Sequence, residues 1–119
     1  MKEINNIEDI ILLVDRFYDK VNKDELLSPV FNVIAKVNWP AHLPIMYSFW
    51  SAVLFDTNTY KGQPVSAHLN LPLTKELFKR WLNLFRETVD EHFQGEKAEM
   101  AKERADSIAE IFQSKLKSP

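Results

Sequence analysis

The chain has 119 residues, 45% hydrophobic and 12% aromatic, with a formal net charge of −2 and no cysteine. That length suits one domain spanning residues 1–119, and the lack of cysteine excludes disulfides, thiol catalysis, zinc-finger sites and iron–sulfur ligation. Lys and Arg are scattered rather than striped, against nucleic-acid binding; no run reaches the ~18 apolar residues of a membrane span, and nothing near Met1 resembles a signal peptide, so a cytoplasmic protein is expected.

Only two glycines occur, and the dominant apolar period is helical. Asn6, with Asp9 three residues on, predicts an N-cap for a helix over about 7–22. Its apolar positions are Ile7, Ile10, Ile11, Val14, Phe17, Tyr18 and Val21, so Tyr18 continues a buried stripe through Ile7, Ile11 and Val14. Ser28-Pro29 opens a short second helix carrying Val30, Phe31 and Ile34. Asn38-Trp39-Pro40 starts a third, reaching about Phe55, whose inner face reads His42, Met46, Phe49, Trp50 and Val53.

The polar segment from Asp56 to Lys61 reads as loop. A short helix follows between Pro64, which suits a first turn, and Pro72, which cannot continue one. Thr74 predicts the N-cap of a long helix to about Phe93, with Leu77, Phe78, Trp81, Leu84, Phe85, Thr88 and Val89 inside. Gly95 ends it as a C-terminal glycine. The last helix, about 96–116, buries Ala101, Ala105, Ile108, Ala109 and Phe112. No helix buries its stripe alone, and an all-α bundle is expected.

The proline-fenced helix holds His68 among small and apolar neighbours. It has at most about two turns, and isolated helices under ~12 residues are marginal in water. An imidazole bonded to a metal would hold it in place. Three other residues stand on apolar faces: Tyr18, His42 and Trp81. Taken singly, each has an ordinary reading, as a core tyrosine, a capping or surface histidine and a core aromatic. Taken together with His68, they suit a ligand with a flat apolar body and a coordinating metal.

A zinc site wants three or four close ligands, often two histidines at i and i+4. The chain has no His-x-x-x-His, and His92 beside Asp90-Glu91 reads as a solvated helix end where an imidazolium suits the dipole. Haem needs one proximal His, an apolar slot and distal donors. The sequence supplies that set, with Phe31, Met46, Phe49, Leu71 and Phe78 as candidate walls.

At these residues the chain resembles a group III truncated haemoglobin over nearly its whole length. The carriers are Phe17-Tyr18-Asp19-Lys20-Val21, Ser28-Pro29-Val30-Phe31-Asn32, His42 with Phe49-Trp50 downstream, Tyr60-Lys61-Gly62-Gln63-Pro64 leading to His68-Leu69, and Arg80-Trp81-Leu82-Asn83-Leu84-Phe85. The absence of glycine pairs matches the same group. The resemblance implies a compressed globin fold, a two-over-two helical sandwich around haem b. It implies His68 as the proximal iron ligand, Tyr18 and Trp81 as distal donors to a bound gas, and His42 as a distal gate. It also places Met46 above the haem and Phe31 and Phe49 at the pocket wall. Pro44, inside the first turns of the His42 helix, departs from the pattern and bears on how His42 swings.

The expected function is binding of O2 and other diatomics, NO and CO among them, at a His-ligated iron. O2 held on ferrous iron carries partial negative charge, so donors near it slow its release. Two neutral donors at ~0.5–1.5 kcal/mol each suit capture or scavenging better than bulk transport. The rival reading is a haem enzyme for NO dioxygenation or peroxide chemistry. It would need a partner reductase, because the chain has no flavin or nicotinamide motif. A second rival is a non-haem helical interaction module.

Overall fold

The structure is a computed structural model, and it describes residues 2–34, 36–55 and 74–117, with side chains described except at 34 and 111–117. It is built of helices α1 (Ile7–Lys23), α2 (Leu27–Pro29), α3 (Trp39–Phe55), α4 (Lys75–His92) and α5 (Glu96–Lys117), with a π-helical turn at Val30–Ile34. Helix α1 packs on α3 and α4 on α5, and the two pairs meet through α1–α4 and α3–α5 contacts. This is the two-over-two sandwich expected for a truncated globin. The expected loop from Asp56 and the His68 helix lie outside the described residues.

Helix α1 starts where its cap predicts. Asn6 accepts the Asp9 backbone N–H at 3.0 Å, and the Asp9 carboxylate accepts from the Asn5 N–H at 2.8 Å and from Lys2 Nζ. Its buried stripe is Ile10, Leu13, Val14, Phe17, Tyr18 and Val21. Ile7, expected inside, is 44% exposed. It is the first residue after the cap. Ile4, just upstream of the cap, is buried instead.

Ile4 is held by an N-terminal strap. Lys2 bridges to Phe93, and the Gln94 N–H reaches the Lys2 carbonyl at 2.9 Å. Glu3 Oε1 accepts the backbone N–H groups of Lys97 and Ala98, at 2.9 and 3.3 Å, in the first turn of α5. A carboxylate there satisfies orphan donors and meets the positive end of the helix dipole. Gly95 plays a different part from the one expected. Helix α4 ends at His92 with Phe93 extended, and Gly95, at φ +111, precedes α5 and offers its carbonyl to the Glu99 N–H at 3.0 Å. It begins α5 rather than ending α4.

The connection into α3 bends at Lys36, whose φ of +52 lies in the left-handed region. There the Val37 N–H closes on the Phe31 carbonyl at 2.9 Å. In α3, Met46, Phe49, Trp50, Ser51 and Leu54 are buried, while Val53, expected inside, is half-buried. Lys97 donates to the Leu54 carbonyl at 2.7 Å and so caps the C-terminal end of α3. Thr74 caps α4 by accepting from the Leu77 N–H at 3.2 Å. Within α4, Phe85 is fully buried between Trp50, stacked at 4.9 Å, and Trp81, stacked at 6.1 Å. Thr88, buried on the same helix, satisfies its hydroxyl on the Leu84 carbonyl at 2.7 Å. Ala101, Ala105 and Ala109 face inward on α5 as expected, with Ile108 half-buried; the Phe112 side chain lies outside the described residues.

Candidate functional site

Tyr18, on the fourth turn of α1, faces the first turn of α3. Its ring meets His42 edge-on at 5.5 Å and 79°, Trp39 at 5.1 Å and Phe31 at 6.4 Å. Trp39 and His42 are one turn apart on α3 and touch at 5.6 Å. Three aromatic rings, from the π turn and α3, thus close around one phenol that is 4% exposed.

Burial alone pushes the Tyr18 phenol well above its ordinary ionisation range. The hydroxyl therefore stays protonated at neutral pH, and no described residue hydrogen-bonds to it. The hydroxyl can therefore donate to a molecule placed beside it. Phe17 packs on Tyr18 at 4.8 Å and edge-on to Trp81 at 5.4 Å. The two expected donors thus share one neighbour.

The placement of Trp81 is fixed from the adjacent residue. Arg80 Nε donates to both oxygens of Asp24, at 2.6 and 2.7 Å, tying α4 to the C-terminal end of α1. Asp24 is buried and also accepts the backbone N–H groups of Leu26 and Leu27. Burial pushes its carboxyl up, but Arg80 and those two N–H groups outweigh burial and hold it below the usual range.

The candidate wall residues divide. Phe31, Met46 and Phe49 belong to the same buried cluster as Tyr18 and Trp81. Phe78 is buried apart from them, in a small cluster with Ala109 packed by Leu82 and Ile108. His68 and Leu71 lie outside the described residues. Buried aromatic walls, a methionine and two polar side chains fit one side of a flat apolar group such as haem.

The sequence reading used Trp39 only as a helix start and missed its part in the site. The available signal was its i, i+3 spacing to His42. Its indole N–H donates to Asn32 Oδ1 at 2.8 Å, and Asn32 Nδ2 donates to Asn22 Oδ1 at 2.8 Å and to Ser28 Oγ at 3.2 Å. The Trp39 ring also stacks on Phe31 at 6.1 Å. Beside this cluster, a cavity of about 300 Å³ lies between α1 and α3, lined by Asp15, Arg16, Tyr18, Asp19, Trp39 and Leu43 among others.

Comparison with known proteins agrees with this architecture. Residues 3–115 match the bacterial-like globin family. The chain is 36% identical to a group 3 truncated hemoglobin of Campylobacter jejuni over 118 residues, covering 96% of this chain and 93% of that one. The crystal structure of a group III truncated hemoglobin from Campylobacter jejuni superposes with a TM-score of 0.86 at 37% identity, covering 98% of this chain and 95% of that one.

Proposed function

This chain belongs to the bacterial-like globin family, in its group III truncated branch, and on that premise we propose that it holds haem b through His68 and binds O2, NO or CO against Tyr18 and Trp81. Haem-based ligand binding is what the family suggests. The assignment of residues is our reading, and residues 1–119 are read as one domain.

The observation that carries it is the Tyr18 hydroxyl, buried among Phe17, Phe31, Trp39 and His42, protonated, and with no hydrogen-bond partner among the described residues. A hydrogen bond from that hydroxyl to a bound ligand is worth about 0.5–1.5 kcal/mol, and the ligand it suits is small and partly negative at the accepting atom. Haem, when bound, supplies the iron position at which a diatomic molecule is held. The protein supplies the rest: Tyr18 and Trp81 donate hydrogen bonds, while Phe31, Met46 and Phe49 exclude water from the slot. His42, edge-on to Tyr18, limits how far the phenol can turn.

The visible absorption spectrum with added hemin tests the reading. A Soret band that saturates at one haem per chain in the native sequence, and is lost or reshaped in His68→Ala, is expected. A native chain without a Soret band, or an unaltered band in the variant, would overturn it.

A further inference from the structure

We infer that diatomic ligands reach Tyr18 through the cleft between α1 and α3, and that Trp39, latched to Asn32, is the residue that sets how fast they pass. The inference rests on the haem reading above and adds a route and a controlling residue to it.

The cleft is the cavity of about 300 Å³ noted above. Arg16 and Asp19, ion-paired at 3.1 Å, and Asn22 are its exposed lining residues, and Tyr18 is its buried one. Trp39 and Leu43, one turn apart on α3 and both half-buried, supply its α3 side. A small neutral molecule that passes them meets the Tyr18 ring directly. The Trp39 ring lines the cavity beside Tyr18 and packs on Phe31 and His42, which do not line it, so it stands between the cavity and those two rings.

What holds Trp39 there is specific. Its ring is stacked on Phe31, and its indole N–H is held by Asn32 at 2.8 Å. Asn32 is oriented in turn by Asn22 and Ser28. This chain of bonds crosses from the end of α1 through the π turn to the first residue of α3. It is solvent-facing and neutral, so it can break and re-form without exposing a charge. At Asp15, another lining residue, Tyr47 donates its hydroxyl and pins α3 to α1. The helices are therefore tied near Asp15, and the movable element is the indole rather than the helix pair.

A latch of this kind has a kinetic signature. Losing one neutral hydrogen bond that holds the closed form raises the open fraction by about twofold to twelvefold. Passage in and out both scale with that fraction. The association and dissociation rates then rise together while the equilibrium affinity stays close to native. A residue that merely supported the fold, or the Tyr18 donor, would change dissociation and affinity instead.

The experiment measures CO association by flash photolysis, and CO dissociation by displacement, in the haem-loaded native chain and in Asn32→Ala, Trp39→Phe and Asn32→Asp. Exchange of the Trp39 indole proton is followed by NMR in the same proteins. Asn32→Ala and Trp39→Phe are expected to speed both rates by a common factor in the range above, and Asn32→Asp, which keeps the acceptor for the indole but loses the donor to Asn22 and Ser28, to fall between native and Asn32→Ala. The indole proton should exchange faster in Asn32→Ala than in the native chain. Unchanged rates in Asn32→Ala and Trp39→Phe in chains that bind haem normally would overturn the route and leave the haem reading intact. A rise in dissociation alone would reduce Trp39 to a support for Tyr18. A native chain that takes up no haem would overturn the haem reading, and the route with it.

Discussion

Tyr18 on α1 and His42 on α3 meet edge-on at 5.5 Å, so the junction of the two helices is built around a protonated phenol. Replacing Tyr18 by Phe keeps the ring and its packing and removes only the donor. We expect O2 dissociation to rise by about twofold to twelvefold, the worth of one neutral hydrogen bond. CO dissociation should change less, because bound CO is the weaker acceptor. Stopped-flow displacement of each ligand measures both. An O2 rate equal to native would remove Tyr18 from the ligand's surroundings.

Asp24 ties three elements together, and its loss should be felt in stability. Asp24→Ala leaves the Leu26 and Leu27 N–H groups without their acceptor and Arg80 without its carboxylate. Loss of a capping side chain costs about 0.5–2 kcal/mol, which chemical denaturation resolves. The native chain should show the same loss in acid. The Asp24 and Asp9 carboxyls are both held below their usual range in the fold. Their contribution is therefore complete above the unfolded carboxyl value near 4. It is lost as the pH falls from there through the folded values. In Asp24→Ala this acid slope should be shallower. Equal slopes would show that Asp24 does not gain stability from its ionised form.

Alkali should act through the phenols. Burial raises the Tyr18 phenol, and burial with the Asp15 contact pushes Tyr47 up to about 12. A group whose folded pKa is raised contributes fully below its unfolded value, near 10, and loses that contribution as the pH rises further. The melting temperature should therefore fall above pH 10, and Tyr18→Phe with Tyr47→Phe should flatten that fall. A double variant with the native alkaline slope would contradict it.

Gly95 tests the strap. At φ +111 a side chain is strained, and a Cβ there would run into the Glu3 carboxylate that caps α5. Gly95→Ala should destabilise by at least the ~1–2 kcal/mol of a left-handed residue with a Cβ. Adding Glu3→Ala should cost less in that background than in the native one, because the two changes disturb one contact. Strictly additive losses would separate them.

Much of this was legible in the residues because local chemistry decided it. Asn6 and Thr74 cap where their side chains predict, and the starts of α1 and α4 follow. The 3.6-residue period marked Tyr18, Phe78, Trp81 and Phe85 as buried, and Pro29 and Trp39-Pro40 marked the breaks. The failures share a cause, which is distance along the chain. Ile7 is exposed and Ile4 buried because Lys2 pairs with Phe93, a contact no helical period encodes. Gly95 was read from its place after a helical pattern, yet its positive φ serves Glu3 and the start of α5. Periodicity also cannot foresee that Val30–Ile34 opens to a π turn, or that Lys36 turns left-handed and swings Trp39 over Phe31. The Trp39–Asn32 bond depends on that turn. His68, a histidine between two prolines, lies outside the described residues.

The most direct measurement is a hemin titration of the purified chain, followed at the Soret band and by the melting temperature. The account predicts saturation at one haem per chain, with free hemin at ~1,000 times the dissociation constant adding about 4 kcal/mol of stability, and loss of that gain in His68→Ala. A native chain that stays colourless, or one whose melting temperature ignores hemin, would contradict it.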